Sequence, residues 1–227
     1  GIPMGAPAFE YEEVFTKNNV KVFSANFALY GDMSQRVMSI LSEFCPDIEV
    51  YSIDEAFLKT EGLSTEQLIE HGQILRKRVL KCTGIPISIG IAPTKALAKI
   101  ANRIAKKFPK ETNNFHILDS EVKIQKALKW TKIGDVWGIG SANEKFLKAI
   151  GIHNAHAFTQ LNDAFVRKQM TIVGLRLLHD LRGIPTLTLD DIKDKKNIAT
   201  TRSFEDNLTE LNDLEERVST FAVSCAE

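Results

Sequence analysis

One change of pattern constrains this chain more than any other. As far as about residue 118, short apolar runs that read as strands alternate with segments of helical spacing; beyond it, to about residue 183, the pattern is helical throughout. That order predicts an α+β protein, in which a mixed layer precedes an all-helical part. The strand candidates are Val20–Phe23, Ile48–Ile53, Ala56–Thr60, Ile85–Ile91 and Phe115–Leu118. Helical segments are expected from Ala8 to Phe15 and over Met33–Phe44, Thr65–Lys81 and Lys95–Phe108. Asp32, with Gln35 three residues on, reads as the N-cap of the second of these. Ser88 and Gly90 alternate with apolar residues in Ile85–Ile91, which leaves one side open to close backbone approach. Gly183-Ile-Pro185 stops the last helix of the helical part. Asp190–Lys196 is polar and charged and reads as a linker, with Asp190, Asp191 and Asp194 solvated. A strand (Asn197–Phe204) and a helix from Leu211 follow, too few elements to close a core, so this last unit reads as truncated.

Bulk properties narrow the partners only a little. At 227 residues and 44% hydrophobic, the chain can bury substantial cores. Its 29 basic and 29 acidic residues cancel, so any surface for nucleic acid must be local. Cys45, Cys82 and Cys225 form no C-x-x-C pair, which argues against a zinc ribbon and for a reducing, cytoplasmic setting. No apolar run approaches the roughly 18–20 residues that span a bilayer, so no membrane partner is expected. His153 and His156 lack companion ligands and are not read as a metal site.

Three local features carry chemistry. Tyr51-Ser-Ile-Asp-Glu-Ala-Phe57 sets two carboxylates, Asp54 and Glu55, between two strand-like runs. On one straight strand neighbouring side chains diverge, so the pair can converge only if the chain bends there. Convergent carboxylates are what two-metal phosphoryl transfer needs, and Mg²⁺ suits a site completed by water and phosphate. A D-E dipeptide alone is more often the mark of a solvated turn. From Lys95 to Lys110 there are six basic residues and no acid, gathered within about 120° on one helical face opposite Leu97, Ala101, Ile104, Ala105 and Phe108. Lys99 and Arg103 are the expected DNA-backbone contacts on that face, against a plain solvated stripe. Ile133-Gly-Asp-Val-Trp-Gly-Ile-Gly140, followed by a helix over Ser141–Ile150, has the spacing of a helix-hairpin-helix. Its Gly138 and Gly140 would present backbone N–H groups to phosphate, with Lys145 and Lys148 adding charge.

Taken together and in order, the motifs resemble the Y-family translesion DNA polymerases, in the UmuC-like branch. Y-S-I-D-E-A-F resembles the acidic hairpin of the family's palm. Leu29-Tyr-Gly-Asp-Met-Ser-Gln-Arg-Val-Met38 resembles the segment before it, and Ile87-Ser-Ile-Gly-Ile-Ala-Pro-Thr-Lys-Ala-Leu-Ala-Lys-Ile-Ala-Asn102 the strand and helix after it. Asp135-Val-Trp-Gly-Ile-Gly140 is similar to the thumb hairpin, Leu181-Arg-Gly-Ile-Pro185 to the thumb end, and Thr201-Arg-Ser-Phe204 to the start of the little finger. The resemblance implies a remnant of the fingers (1–22), a palm with an antiparallel-containing sheet (23–118), a helical thumb (119–187), a linker (188–197) and the beginning of a little finger (198–227). It implies that Asp54 and Glu55 are catalytic metal ligands for Mg²⁺ and that Lys106, rather than Lys107, meets the nucleotide triphosphate. The implied activity is error-prone, template-directed nucleotidyl transfer past lesions in DNA repair and the SOS response. The implied partners are primer-template DNA and a dNTP, a UmuD-type subunit, the RecA filament and the sliding clamp. The family's first metal aspartate, in a D-x-N-[AS]-[FY] strand, has no counterpart in these residues, so the chain is expected to be a fragment that is inactive alone. The rival readings are a non-catalytic DNA-binding or scaffold protein and a helix-hairpin-helix nuclease or glycosylase.

Overall fold

The computed structural model describes residues 1–189, 197–204 and 207–226; the expected linker at Asp190–Lys196 lies outside them. Two compact units emerge, Gly1–Leu189 and Asp190–Glu227.

The first unit opens with a 3₁₀ turn, Ala8–Tyr11, running into α1 (Glu12–Lys17). Val20–Phe23 is not a strand: it is irregular and exposed, and an apolar run without a partner ladder has nothing to pair with. α2 spans Phe27–Phe44, so it begins six residues earlier than the sequence suggests. Its N-cap is Asn26, whose side chain accepts a hydrogen bond from the Leu29 amide at 3.1 Å. Asp32 therefore lies inside the helix, where it pairs with Arg36 one turn on at 2.9 Å. Gly31-Asp32 mimics a helix start, but one interior glycine costs only about 1 kcal/mol, which packing of the helix offsets.

β1 (Ile48–Ser52) and β2 (Glu55–Leu58) form an antiparallel hairpin. α3 (Thr65–Thr83) carries a full capping box from Ser64 and Gln67 and ends on the left-handed Gly84. α2 and α3 enclose a first core of Val37, Ile40, Leu41, Leu75 and Val79, against which Ile48, Ala56, Leu58 and Ile89 pack. The spacing of these residues along each helix is the i, i+3, i+4 pattern of one buried face.

β3 covers only Ile89–Ile91 and pairs in parallel with β4 (Phe115–Ile117). The ladder is shorter than the apolar run because β4 offers three residues to pair with, and Pro86 has no amide to donate. The expected single sheet is thus two separate two-stranded pairs. Between β3 and β4 run α4 (Lys95–Lys107) and the short α5 (Pro109–Thr112), which takes Lys110 off the α4 face. Gly90 lets α4 close onto β3: a β-carbon there would stand 2.0 Å from the amide nitrogen of Asn102. Gly90→Ala is accordingly expected to destabilise the unit by about 1–3 kcal/mol or more, measured by urea denaturation, because the clash is with helix backbone. A melting curve unchanged by the substitution would show that the approach is looser than described.

α6 (Glu121–Trp130), α7 (Ser141–Ala149), α8 (Ala155–Thr159) and α9 (Asp163–Leu181) follow. They share one core with α4: Leu97, Ile100 and Ala101 pack among Leu128, Ile133, Leu147, Phe158, Leu177 and Leu181. The core therefore runs without a break across residue 118. Asp180, fully buried on α9, accepts the Ala96 amide at the start of α4 at 3.1 Å, and the amide and hydroxyl of Thr186. The Thr94 hydroxyl donates to the Asp180 carbonyl at 2.7 Å. Thr171 breaks the helical geometry inside α9, with φ 65°.

In the second unit α10 spans Leu211–Ala226 and Phe204 stacks near Phe221. Asn197–Phe204 is irregular rather than a strand, having no partner ladder among the described residues.

Candidate nucleotidyl-transfer site

The hairpin solves the geometric problem posed by adjacent carboxylates. Its tight turn falls on Ile53–Asp54, and the ladder slips between Val50 and Ser52, a bulge that leaves Tyr51 unpaired. A bulge re-aims the side chains that follow it. Asp54 and Glu55 both line one cleft of about 820 Å³ that α2, α3, this hairpin and the β3–α4 face enclose together. Lys99, Asn102 and Lys106 from α4 line the same cleft. Two acidic and two lysine side chains thus line it together.

The carboxylates differ in their partners. Asp54 Oδ1 accepts from the Ser52 hydroxyl at 2.6 Å, a neutral donor within its own turn. Glu55 Oε2 accepts from the Lys99 ammonium at 2.6 Å. Lys99 also stands 5.1 Å from the centroid of the Tyr51 ring. The Tyr51 hydroxyl accepts from the Trp137 indole N–H at 2.9 Å, and the Tyr51, Phe57 and Trp137 rings contact one another at 5.6–5.7 Å. The acidic hairpin is in this way tied to the residue just before Gly138.

The basic face of α4 is consumed largely inside the molecule. Lys95 pairs with Glu49 on β1, where both side chains are mostly buried, and it lies over Phe57. Lys99 pairs with Glu55, and Arg103 with Asp135 at 2.7 Å. The sequence read Lys99 and Arg103 as facing phosphates; in the structure both brace α4 against neighbouring elements. Lys106 is exposed and opens onto the cleft. The clue was present in the sequence: Lys95, Lys99 and Arg103 recur every four residues, and the hairpin strands carry acids, Glu49 and Glu55, among apolar neighbours. Sequence reasoning missed the Tyr51–Trp137 link, which no spacing rule foreshadows, and the role of Asp180.

Val136–Gly140 forms the expected tight connection into α7. Gly138 has φ 87°, a left-handed conformation that favours glycine, and the Ile139 amide donates to the Val136 carbonyl at 3.0 Å. Gly138, Gly140 and Lys145 are exposed while Ile139 is buried, so the loop is anchored by one side chain and open along its backbone. Lys148 pairs with Glu144 at 2.6 Å.

As donors, two carboxylates on one cleft suit a hard divalent cation, which takes oxygen ligands. Among the described residues no group of three or more His, Cys, Asp or Glu could hold a metal, so Asp54 and Glu55 fit in kind but make up only part of a ligand set. No described helix is long and apolar enough to cross a membrane.

This architecture, the two strand pairs with α2 to α4 and the helical part behind them, is the fold of the Y-family DNA polymerases. It matches a DinB family error-prone DNA polymerase from Sulfolobus solfataricus with a TM-score of 0.67 and 25% identity, over 84% of this chain and 56% of that one. Residues 1–103 match the impB/mucB/samB family. The chain is similar to the UmuC protein of Salmonella typhimurium strain LT2, 37% identical over all of this chain, and to the Salmonella typhimurium ImpB protein, 35% identical. It spans 54% of the length of each.

Proposed function

We propose that the protein to which these residues belong is an error-prone translesion DNA polymerase, and that this chain supplies its acidic hairpin, triphosphate lysine and duplex-binding loop. The observation that carries the reading is the convergence of Asp54, Glu55 and Lys106 on one cleft in a Y-family fold. Asp54 and Glu55 would hold Mg²⁺, which when bound supplies Lewis-acid stabilisation of the transferring phosphoryl group. Lys106, exposed at the mouth, would meet the triphosphate and offset charge on the departing pyrophosphate. Residues 23–118 would then serve as palm, 119–187 as thumb and 198–227 as the start of a little finger. Cytoplasmic action in the SOS response, with a UmuD-type subunit, the RecA filament and the sliding clamp, belongs to the same proposal and rests on the likeness to UmuC. Lys106→Ala in the longer protein tests the nucleotide assignment: the KM for dNTP should rise at least about tenfold, while duplex affinity stays unchanged. An unaltered KM would remove Lys106 from the site.

For the duplex we propose backbone contacts through Gly138, Gly140 and Lys145, leaving Lys99 and Arg103 out because both are paired internally. The 227-residue chain should bind duplex DNA weakly and without sequence preference, and affinity should fall linearly in log–log terms as salt rises. Fluorescence anisotropy over a salt series reads this directly; salt-independent binding, or preference for one sequence, would count against it.

A further inference from the structure

We propose that Lys99 is a charge-setting residue of the acidic pair: its ammonium holds down the affinity of Glu55 for divalent cations and leaves Asp54 the dominant ligand. The inference rests on the reading of Asp54 and Glu55 as metal carboxylates and adds to it a residue that acts through one of them. Three observations carry it. The Lys99 ammonium lies 2.6 Å from Glu55 Oε2, whereas the partner of Asp54 is an uncharged hydroxyl. Lys99 is also held where it is. Its helix is packed into the core it shares with α6 to α9 and closes onto β3 at Gly90, its ammonium sits over the Tyr51 ring, and Tyr51 is itself fixed by the Trp137 indole. Finally, Lys99 is only 21% exposed and Glu55 31%, so solvent screens the pair less than it would a surface bridge.

Electrostatics then fixes the sign. A divalent ion on Glu55 would share that carboxylate with an ammonium within a few ångströms, and like charges at that range repel. An ordinary brace predicts the opposite: losing it would let Glu55 wander and would weaken metal binding. The consequence for function is an order of assembly. A cleft whose two carboxylates are balanced by Lys99 and Lys106 holds a bare divalent ion weakly. It gains net negative charge only when a triphosphate enters, so the cation is taken up with the nucleotide.

The test uses the 227-residue chain and Mn²⁺ alone, titrated by electron paramagnetic resonance without nucleotide, with Lys99→Met, Lys99→Gln and Lys99→Arg beside the wild type and thermal melts for each. Lys99→Met and Lys99→Gln should bind Mn²⁺ about tenfold more tightly, equivalent to ~1.4 kcal/mol, and Lys99→Arg should stay within about threefold of wild type because it restores the charge. Unchanged or weaker binding by Lys99→Met, in a variant that melts like the wild type, would overturn the proposal. So would a fall of about 0.9 in the salt slope of duplex binding by Lys99→Met, which would make Lys99 a phosphate ligand instead. Absence of Mn²⁺ binding in every variant, Lys99→Met included, would remove the metal reading of Asp54 and Glu55 and this proposal with it. Tighter binding by Lys99→Met together with a longer protein that cannot extend primers would leave the charge-setting role intact and overturn the polymerase reading alone.

Discussion

Primer extension by the longer protein should fall about a hundredfold or more when Asp54 is replaced by Ala, and the 227-residue chain should show little or none even with Asp54 intact. The two expectations have one cause. In two-metal transfer the carboxylates fix where both ions sit, and a misplacement of about 1 Å at the reacting centre can cost around a hundredfold in rate. Asp54 contributes one of the two carboxylates this chain directs into the cleft, and no described cluster supplies a third acidic, His or Cys ligand. Its partner Ser52 is neutral, so Asp54→Ala removes an uncompensated charge, whereas Glu55→Gln removes one that Lys99 already balances. Asp54→Ala is therefore expected to cost more than Glu55→Gln. The measurement is single-nucleotide extension in Mg²⁺ with the longer protein, its two variants and the 227-residue chain. Robust synthesis by the chain alone, or an unaffected Asp54→Ala protein, would sink the assignment.

Asp180→Ala should destabilise the Gly1–Leu189 unit by about 2–4 kcal/mol without touching the cleft. The carboxylate is fully buried and accepts two backbone amides, those of Ala96 and Thr186, together with the Thr186 hydroxyl. Truncation leaves the Ala96 and Thr186 amides without their acceptor, while the Thr186 hydroxyl keeps the Arg176 carbonyl at 2.9 Å, and it removes an anion from the first turn of α4, where the helix dipole favours one. Asp180→Asn should cost less, since the amide oxygen can still accept one of the bonds. Urea denaturation of the 227-residue chain reads both, and the proposed Mn²⁺ affinity serves as the control that the cleft persists in the folded fraction. Equal stability of Asp180→Ala and wild type would mean that the two amides find other acceptors.

The sequence reading went furthest where local chemistry and global packing agree. Asp54–Glu55 had to lie at a bend for the pair to act together, and the turn at Ile53–Asp54 is there. Gly90 was read as a point of close approach, and Asn102 of α4 is what approaches. The reading failed where tertiary context decides. Asp32 has local marks of an N-cap, yet Asn26, six residues earlier, takes that role, its side chain accepting from the Leu29 amide. Val20–Phe23 has strand-like residues and no strand to meet. The basic face of α4 is the most instructive case. Periodicity correctly put Lys99 and Arg103 on one face, but it is blind to what faces them, and the acids opposite come from 44 residues earlier, in Glu55, and from 32 residues later, in Asp135. For the same reason nothing in the local pattern singles out Asp180, which the structure buries completely.

The slipped register at Tyr51 makes the hairpin's length, rather than its composition, the quantity under constraint. With Val50 opposite Ala56 and Ser52 opposite Glu55, one strand carries a residue its partner does not match. Deleting Tyr51 would restore an even ladder, but it would also remove the bulge that re-aims the chain as it enters the Ile53–Asp54 turn and the ring that meets Trp137. Conservative replacements along Ile48–Leu58 should therefore be absorbed far more readily than any insertion or deletion of one residue. In a library of such variants, the gaps should be purged from this stretch well before the substitutions are.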